Sequence, residues 1–446
     1  MKKTVLYKGL MLTALSALAF SSCQREEDDL WDKSAAERVN ESISIYEQRF
    51  SSSKGGWVME YYPTNSGEDP TGIGYLILAD IKADGSVRMA MKNIVSDGVY
   101  VEDTSLWQII RDTGPVLSFN SYNKCIHEFC DPSVYDLGNG LGGDYEFVIT
   151  DMQEDAQIGF VKGKKSRAYI RMIRLAEGTD YEQYLDSVNN FQATYFSSSA
   201  PNKLIMDFAG ELKYMDEAST TTPNIYPVNG DPISDENYQV FIISKRDGKM
   251  YLRFKDALPV NDEIGKVQEF VWDETLGQFN GVDNPACTIK GENPAQFFAD
   301  QLNNNGAVWT WNTKSELSDS IATLFTNLGN QFKKVNKNYA FSSMQLKKNT
   351  KNQVILVVNY TNNRKATSCS YNFNCEALEN GNVKLTYIEP ADNGSANIKN
   401  AIEGISQMID ILDGEVIVAS NGNNFDLTKV RITPSDAPDA WFVASM

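Results

Sequence analysis

Histidine is almost missing from this chain: His127 is the one imidazole in 446 residues. Imidazole is the side chain that titrates near neutrality, so His127 beside Glu128 is a conceivable acid or base, yet no second histidine or nucleophile stands at a recognisable spacing from it. A packed histidine at a strand end is the reading we adopt. A zinc site fares no better, because Cys125 and Cys130 lack a further ligand pair at zinc spacing. Positive charge is also in short supply, with 41 Lys and Arg against 59 Asp and Glu, for a net charge of -18. That balance argues against nucleic acid or an anionic lipid surface as the partner, and no cofactor is expected. After the first twenty residues no apolar run reaches the roughly 18 residues a spanning helix needs.

What the chain does have is an address. Lys2, Lys3 and Lys8 precede an apolar stretch from Leu10 to Phe20, then Ser21, Ser22 and Cys23. This is the layout of a cleaved secretory signal over 1–22, and a cysteine directly after two small residues points to lipoprotein processing, although Phe20 stands where Leu is usual. Cys23 is then the lipidated amino terminus. Each buried methylene contributes about 0.8 kcal/mol, so two or more acyl chains hold a protein on a membrane. Removing the signal takes away three lysines and no acid, so -18 becomes -21. An acidic tether over 23–32, with Glu26, Glu27, Asp28 and Asp29, follows; like charges and few apolar residues make it a spacer.

Beyond Cys23 lie Cys125, Cys130, Cys287, Cys369 and Cys375, an odd number that leaves at least one thiol unpaired in a monomer. Cys369 and Cys375 alternate with polar residues on one strand, about 20 Å apart at about 3.3 Å per residue, and cannot bond to each other. The Cys125 and Cys130 pair would need a turn, and the sequence leaves it open.

The body reads as mainly β: antiparallel meanders forming barrel- or sandwich-like domains, of which a lipocalin-like closure is one form, with a few interspersed helices. A helix over 32–50 leads into a first β-domain (33–178) of eight or nine short strands, with Asp84-Gly85 its strongest hairpin signal. A second meander with flanking helices (179–335) carries a helix near 180–196, a tight turn at Asp247-Gly248 and the long loop Thr220 to Asp235. A C-terminal β-domain (336–446) includes one helix over 398–412.

Several blocks together resemble a known family. They are Gly56-Trp57 with Tyr61-Tyr62-Pro63; Leu117-Ser118-Phe119 with Ile126 to Pro132; Gly142-Gly143-Asp144-Tyr145-Glu146-Phe147; and Phe241 to Gly248 with Val267 to Trp272. The chain looks like a domain-of-unknown-function family of Bacteroidota surface lipoproteins. The resemblance implies an outer-membrane location facing the exterior and a place beside starch-utilisation-type uptake systems or putative zinc peptidases. It therefore implies an outer-membrane transporter or peptidase as partner and a glycan or peptide as ligand. It transfers no catalytic residue.

Of the remaining motifs, Asp80 to Gly85 fails as a calcium loop, since Lys82 occupies an oxygen-ligand position and Met91 the place of the bidentate Glu. Gly159 to Ser166 lies between strand patterns and is one residue short of a phosphate loop. Tryptophans at 57, 107, 272, 309, 311 and 441 offer material for a ligand platform, though aromatics in β-structure are mostly core. Trp309 and Trp311, which alternation puts on one face of a loop-like stretch, are the pair chosen as ligand-binding candidates. The leading expectation is a non-catalytic, lipid-anchored outer-membrane accessory of nutrient or glycan acquisition. The alternative is an outer-membrane hydrolase with a carboxylate pair that sequence does not reveal.

Overall fold

The computed structural model describes residues 34–63, 73–112, 114–133, 140–166, 168–228, 230 and 238–446. Cys23 and its tether lie outside them, as does much of the loop 220–235. Helix α1 (Ala35–Ser51) opens on a capping box: Ser34 Oγ accepts from the Glu37 amide at 3.3 Å, and Glu37 Oε2 accepts from the Ser34 amide at 2.9 Å. Its apolar side, Ile43, Tyr46 and Phe50, covers the first sheet, and Trp57 Nε1 donates to the Phe50 carbonyl at 2.8 Å.

That sheet has nine strands: β1 (Trp57–Tyr62), β2 (Tyr75–Ile81), β3 (Ser86–Met91), β4 (Val101–Leu106), β5 (Gln108–Arg111), β6 (Pro115–Ser118), β7 (Glu146–Met152), β8 (Ile158–Gly163) and β9 (Tyr169–Arg174). A one-turn helix, α2 (Lys124–His127), lies between β6 and β7. The order β4-β3-β2-β1-β9-β8-β7-β6-β5 brings the first and last strands together in antiparallel register from Trp57↔Arg174 to Tyr62↔Tyr169. Every residue of β1 is buried because the strand is covered on both faces. Trp57, Met59 and Tyr61 fill the first sheet's own core, whereas Val58 and Tyr62 face the second sheet.

Helix α3 (Tyr181–Tyr195), capped by Asp180, then leads to an eight-stranded curled sheet. Its strands are β10 (Leu204–Phe208), β11 (Glu211–Asp216), β12 (Asn224–Pro227), β13 (Phe241–Arg246), β14 (Lys249–Pro259), β15 (Lys266–Asp273), β16 (Gln278–Gly281) and β17 (Cys287–Gly291), in the order β12-β11-β10-β17-β16-β15-β14-β13. The hairpin at Asp247-Gly248 has positive φ at both residues, 50° and 77°, as a two-residue turn matching strand twist requires. Three strands of this sheet, β11, β12 and β17, escaped the sequence reading; β11 has one buried residue in six and so little apolar alternation to read.

Between the two sheets runs a buried charged seam. Arg171 Nη1 sits 2.6 Å from Glu269 Oε1 and 3.4 Å from Glu60 Oε2. Arg246 Nη2 meets Glu269 Oε2 at 2.9 Å, and Ser244 Oγ donates to Glu60 Oε1 at 2.7 Å. Burial works to raise the Glu269 pKa, but Arg171 and Arg246 outweigh it and hold the carboxyl below its ordinary value.

The third unit is a closed barrel, β18 (Trp309–Asn312), β19 (Tyr339–Lys348), β20 (Val354–Asn362), β21 (Lys365–Ala377), β22 (Val383–Pro390), β23 (Gly414–Ser420), β24 (Lys429–Pro434) and β25 (Phe442–Ser445), sealed by the β18 and β25 pairing. Helices α4 (Pro294–Asp300), α5 (Asp319–Val335), α6 (Asn393–Ala401) and α7 (Glu403–Leu412) attend it, and Phe297, Phe325, Leu328, Met408 and Leu412 join its core. The boundary read at 335/336 therefore falls inside the barrel, which takes in β18, α4 and α5. The single helix expected over 398–412 is two, broken at the fully buried Ile402, where φ is -130° and ψ 94°. A Cβ on Gly404 would stand 2.9 Å from Leu328, so glycine there is what lets α7 approach α5. Phe425, on the loop between β23 and β24, leaves the barrel and packs into the second unit's core.

Candidate functional site

Trp309 and Trp311 do share one face, but that face is the inside of the barrel. Both are fully buried. Trp311 stacks on Phe442 at 4.7 Å between ring centroids, and Trp309 lies 5.2 Å from Phe298. Barrel closure, a tertiary event, converts the expected ligand platform into core.

His127 ends α2, with Nδ1 accepting from the Asn123 amide at 3.1 Å and the ring stacked on Tyr145 at 4.8 Å. Burial lowers its pKa. All five cysteines described are free. Burial pushes Cys125, Cys130 and Cys375 up to about 12 and Cys369 to about 11, which keeps them as unreactive thiols. Among the described residues no group of three or more His, Cys, Asp or Glu is arranged to hold a metal ion, and no helix is long and apolar enough to cross a membrane.

A different aromatic group is accessible. Where the C-terminal end of α3 crosses β14, β15 and β16, a cleft of about 490 Å³ is lined by Phe191, Tyr195, Lys249, Met250, Trp272 and Asn280. Tyr195 and Trp272 are half-buried and lie 4.4 Å apart, with Phe191 edge-on to Trp272 at 5.3 Å. Phe279 and Phe425 support the Trp272 ring from behind at 5.0 and 5.5 Å. Helix α3 is fixed by Tyr184, whose hydroxyl donates to the Lys245 carbonyl and accepts from its amide, both at 2.8 Å, on edge strand β13.

The polar rim is equally fixed. Asp273 Oδ1 accepts from the Thr275 and Leu276 amides at 3.0 Å each, Oδ2 accepts from Asn280 Nδ2 at 3.4 Å, and Asn280 Oδ1 accepts from Gln278 Nε2 at 2.7 Å. Asp273 is thereby committed to its turn. An apolar wall of two rings tilted 50° to each other, edged by an amide, a carboxylate and the Lys249 ammonium, suits a ring bearing hydroxyl groups. A second cleft, of about 440 Å³, runs along the first half of α3 past Gln183 and Tyr184, and Lys245 and Gly248 line both.

Residues 27–274 match the family model described as "Domain of unknown function (DUF4302)". The chain belongs to this family. The DUF4302 match ends one residue after β15, so it spans the first sheet, the charged seam and Trp272. Within the matched range the block Gly142 to Phe147 is architectural: a Cβ on Gly143 would come 2.5 Å from Phe129, and Asp144 Oδ2 accepts from the Lys165 and Ser166 amides at 2.6 and 2.9 Å. No curated protein matches the chain. Among solved structures, transferrin binding protein B from serogroup B Neisseria meningitidis is 7% identical, with 87% of this chain and 74% of that one covered at a TM-score of 0.14. The beta subunit of DNA polymerase from Streptococcus pyogenes is 11% identical, with 91% and 97% covered at 0.12. Superpositions this loose carry no argument about fold or function.

Sequence reading counted Trp272 among the tryptophans but gave no reason to prefer it. Phe191 read only as part of the apolar side of the helix near 180–196, and Tyr195 gave no signal of its own. The one local signal was the block Val267 to Trp272, where Glu269 and Trp272 fall in the same strand.

Proposed function

We propose that this DUF4302 chain is a Bacteroidota-type lipoprotein, anchored to the outer membrane through Cys23, that binds a carbohydrate at the Tyr195 and Trp272 cleft as a non-catalytic accessory of nutrient acquisition. The observation that carries the ligand half is the half-buried ring pair backed by Phe279 and Phe425 and edged by Asn280. Aromatic faces with fixed polar edges give shape and orientation at little entropic cost. Hydrolysis would need two carboxyl groups flanking one bond; the cleft's two, Asp273 and Glu274, are neighbours at one turn on the same side of it, and Asp273 is spent on holding that turn. The anchoring half rests on the sequence from Lys2 to Asp29.

Two measurements test the reading. Titrating the mature chain with a panel of neutral oligosaccharides should quench or enhance tryptophan fluorescence saturably for at least one, and Trp272→Ala should weaken that binding about tenfold or more, the roughly 1–3 kcal/mol that ring stacking contributes. Binding unchanged in Trp272→Ala overturns the site. Metabolic labelling with a radioactive fatty acid should mark the wild-type chain and not Cys23→Ala; equal labelling overturns the anchor.

A further inference from the structure

On the other side of the seam a third cavity, of about 510 Å³, opens between the β8 and β9 hairpin of the first sheet and the middle of β14 in the second. Its lining is cationic in a strongly acidic protein: Lys162, Arg253 and Lys255 against Asp256 alone, with Phe160 and Tyr169 as walls. The strand geometry explains how a guanidinium came to be there. Leu252 and Phe254 turn into the second sheet's core, so Arg253 between them points to the opposite face, toward the first sheet. Directly after it the β14 and β15 register breaks between Arg253 and Leu258, and Gln268 Nε2 ties the bulge by donating to the Phe254 and Lys255 carbonyls at 3.0 and 2.9 Å.

Arg253 is 7% exposed. Its guanidinium hydrogen-bonds Tyr169, but Nη1 has no hydrogen-bond partner, and no carboxylate among the described residues pairs with it. The neighbouring seam does not supply one, because Glu60 and Glu269 are engaged by Arg171 and Arg246. A buried cation without a counter-charge is costly, and a planar fork of donors beside a ring-lined cavity is the arrangement that pairs with a planar oxyanion. The cavity lies within the roughly 300–1,000 Å³ usual for small ligands.

We propose that this cavity is an anion site, distinct from the Trp272 cleft and independent of it, that binds a carboxylate borne on a sugar-sized ring. Arg253 takes the carboxylate, the adjoining Phe160 and Tyr169 rings, 6.2 Å apart, wall one side of the sugar ring, and Lys162 and Lys255 draw the anion in from solvent.

The test uses the mature chain and D-glucuronate as probe, with glucose as its neutral counterpart, followed by NMR or calorimetry at low salt. Glucuronate should bind saturably and glucose should not. Arg253→Met should abolish binding. Because a buried substitution can disturb folding, the rim variant Lys162→Gln/Lys255→Gln, at an exposed and a half-buried position, is measured alongside and should weaken binding about three- to tenfold, as removal of two screened charges implies. Trp272→Ala should leave it unchanged. Glucuronate binding no tighter than glucose, or undiminished in both the Arg253 and the double-lysine variants, overturns the proposal.

Discussion

The closed barrel that begins at Trp309 and the pair of curled sheets before it bury different chemistry. Among the described residues the buried charged side chains are Glu60, Asp80, Asp144, Arg171 and Arg253, all in the first two units, while the barrel's buried polar residues are Ser318 and Ser395. The barrel has a largely apolar interior and paired edges, so its stability rests mainly on packing, which must also offset the indole N–H groups of Trp309 and Trp311, unpartnered among the described residues. The sheets instead meet through Glu60, Arg171, Glu269 and Arg246, a contact whose desolvation cost offsets much of its attraction. The Arg253 cavity opens between these two sheets, and the Trp272 cleft lies on the second of them. The lesson is that the DUF4302 region carries structure selected for geometry, and the barrel structure selected for filling space.

The sharpest way to break that contrast is to open the barrel core. Trp311→Ala removes a fully buried ring stacked on Phe442 and should cost about 3–5 kcal/mol, read as a lowered denaturant midpoint of the barrel. A small loss would mean the barrel tolerates a void and is not the rigid body its burial implies. Next in size is the seam. Arg171→Met leaves Glu60 with Ser244 and no cation within contact distance, and should cost about 2–4 kcal/mol; Glu60→Leu/Arg171→Met, which removes the orphaned carboxylate too, should recover most of it. Equal losses in the single and the double variant would show that packing, not charge, governs the seam.

The joint between the two regions comes third. Phe425 reaches from the loop between β23 and β24 to within 5.5 Å of Trp272 and 5.9 Å of Phe196, while Asn202 Nδ2 donates to the Asn424 carbonyl at 3.2 Å. Phe425→Ala should cost about 2–3 kcal/mol and split a joint unfolding transition into two, as calorimetry would register. It should also loosen the Trp272 ring, so carbohydrate binding at that cleft falls with it.

How much of this could be read in the sequence divides along the same line. Strand alternation and the turns at Asp84-Gly85 and Asp247-Gly248 yielded the β-rich class because they are local. Trp309 and Trp311 were correctly put on one face, but whether that face meets solvent depends on β25 closing on β18 more than a hundred residues later. Phe425 alternates with Leu427 and so resembles the start of the strand that follows, and only its docking against another unit shows otherwise. Arg253 and Glu60 read as ordinary polar positions in alternating strands, since a strand buried on both faces gives no sign of what its second face meets.

The smallest effect separates the regions by pH. Glu292, between β17 and α4, accepts from the Lys203 amide at 3.3 Å, and burial, reinforced by Asp300 and Asp216, pushes its pKa from 4.5 to about 7. Between those values the folded protein holds a proton that the unfolded chain has already released. Stability should therefore fall as pH rises from 4.5 to 7, by about 1–2 kcal/mol for a partly buried group, and stay at the lower level above 7. His127 acts with the opposite sign: its depressed pKa means the unfolded chain binds the extra proton, so its contribution is lost as pH drops below 6.5. The barrel carries neither group. Glu292→Gln should remove the decline toward pH 7 in the sheet pair and leave the barrel's own transition where it was, so a decline that persists in Glu292→Gln would have to come from another carboxyl.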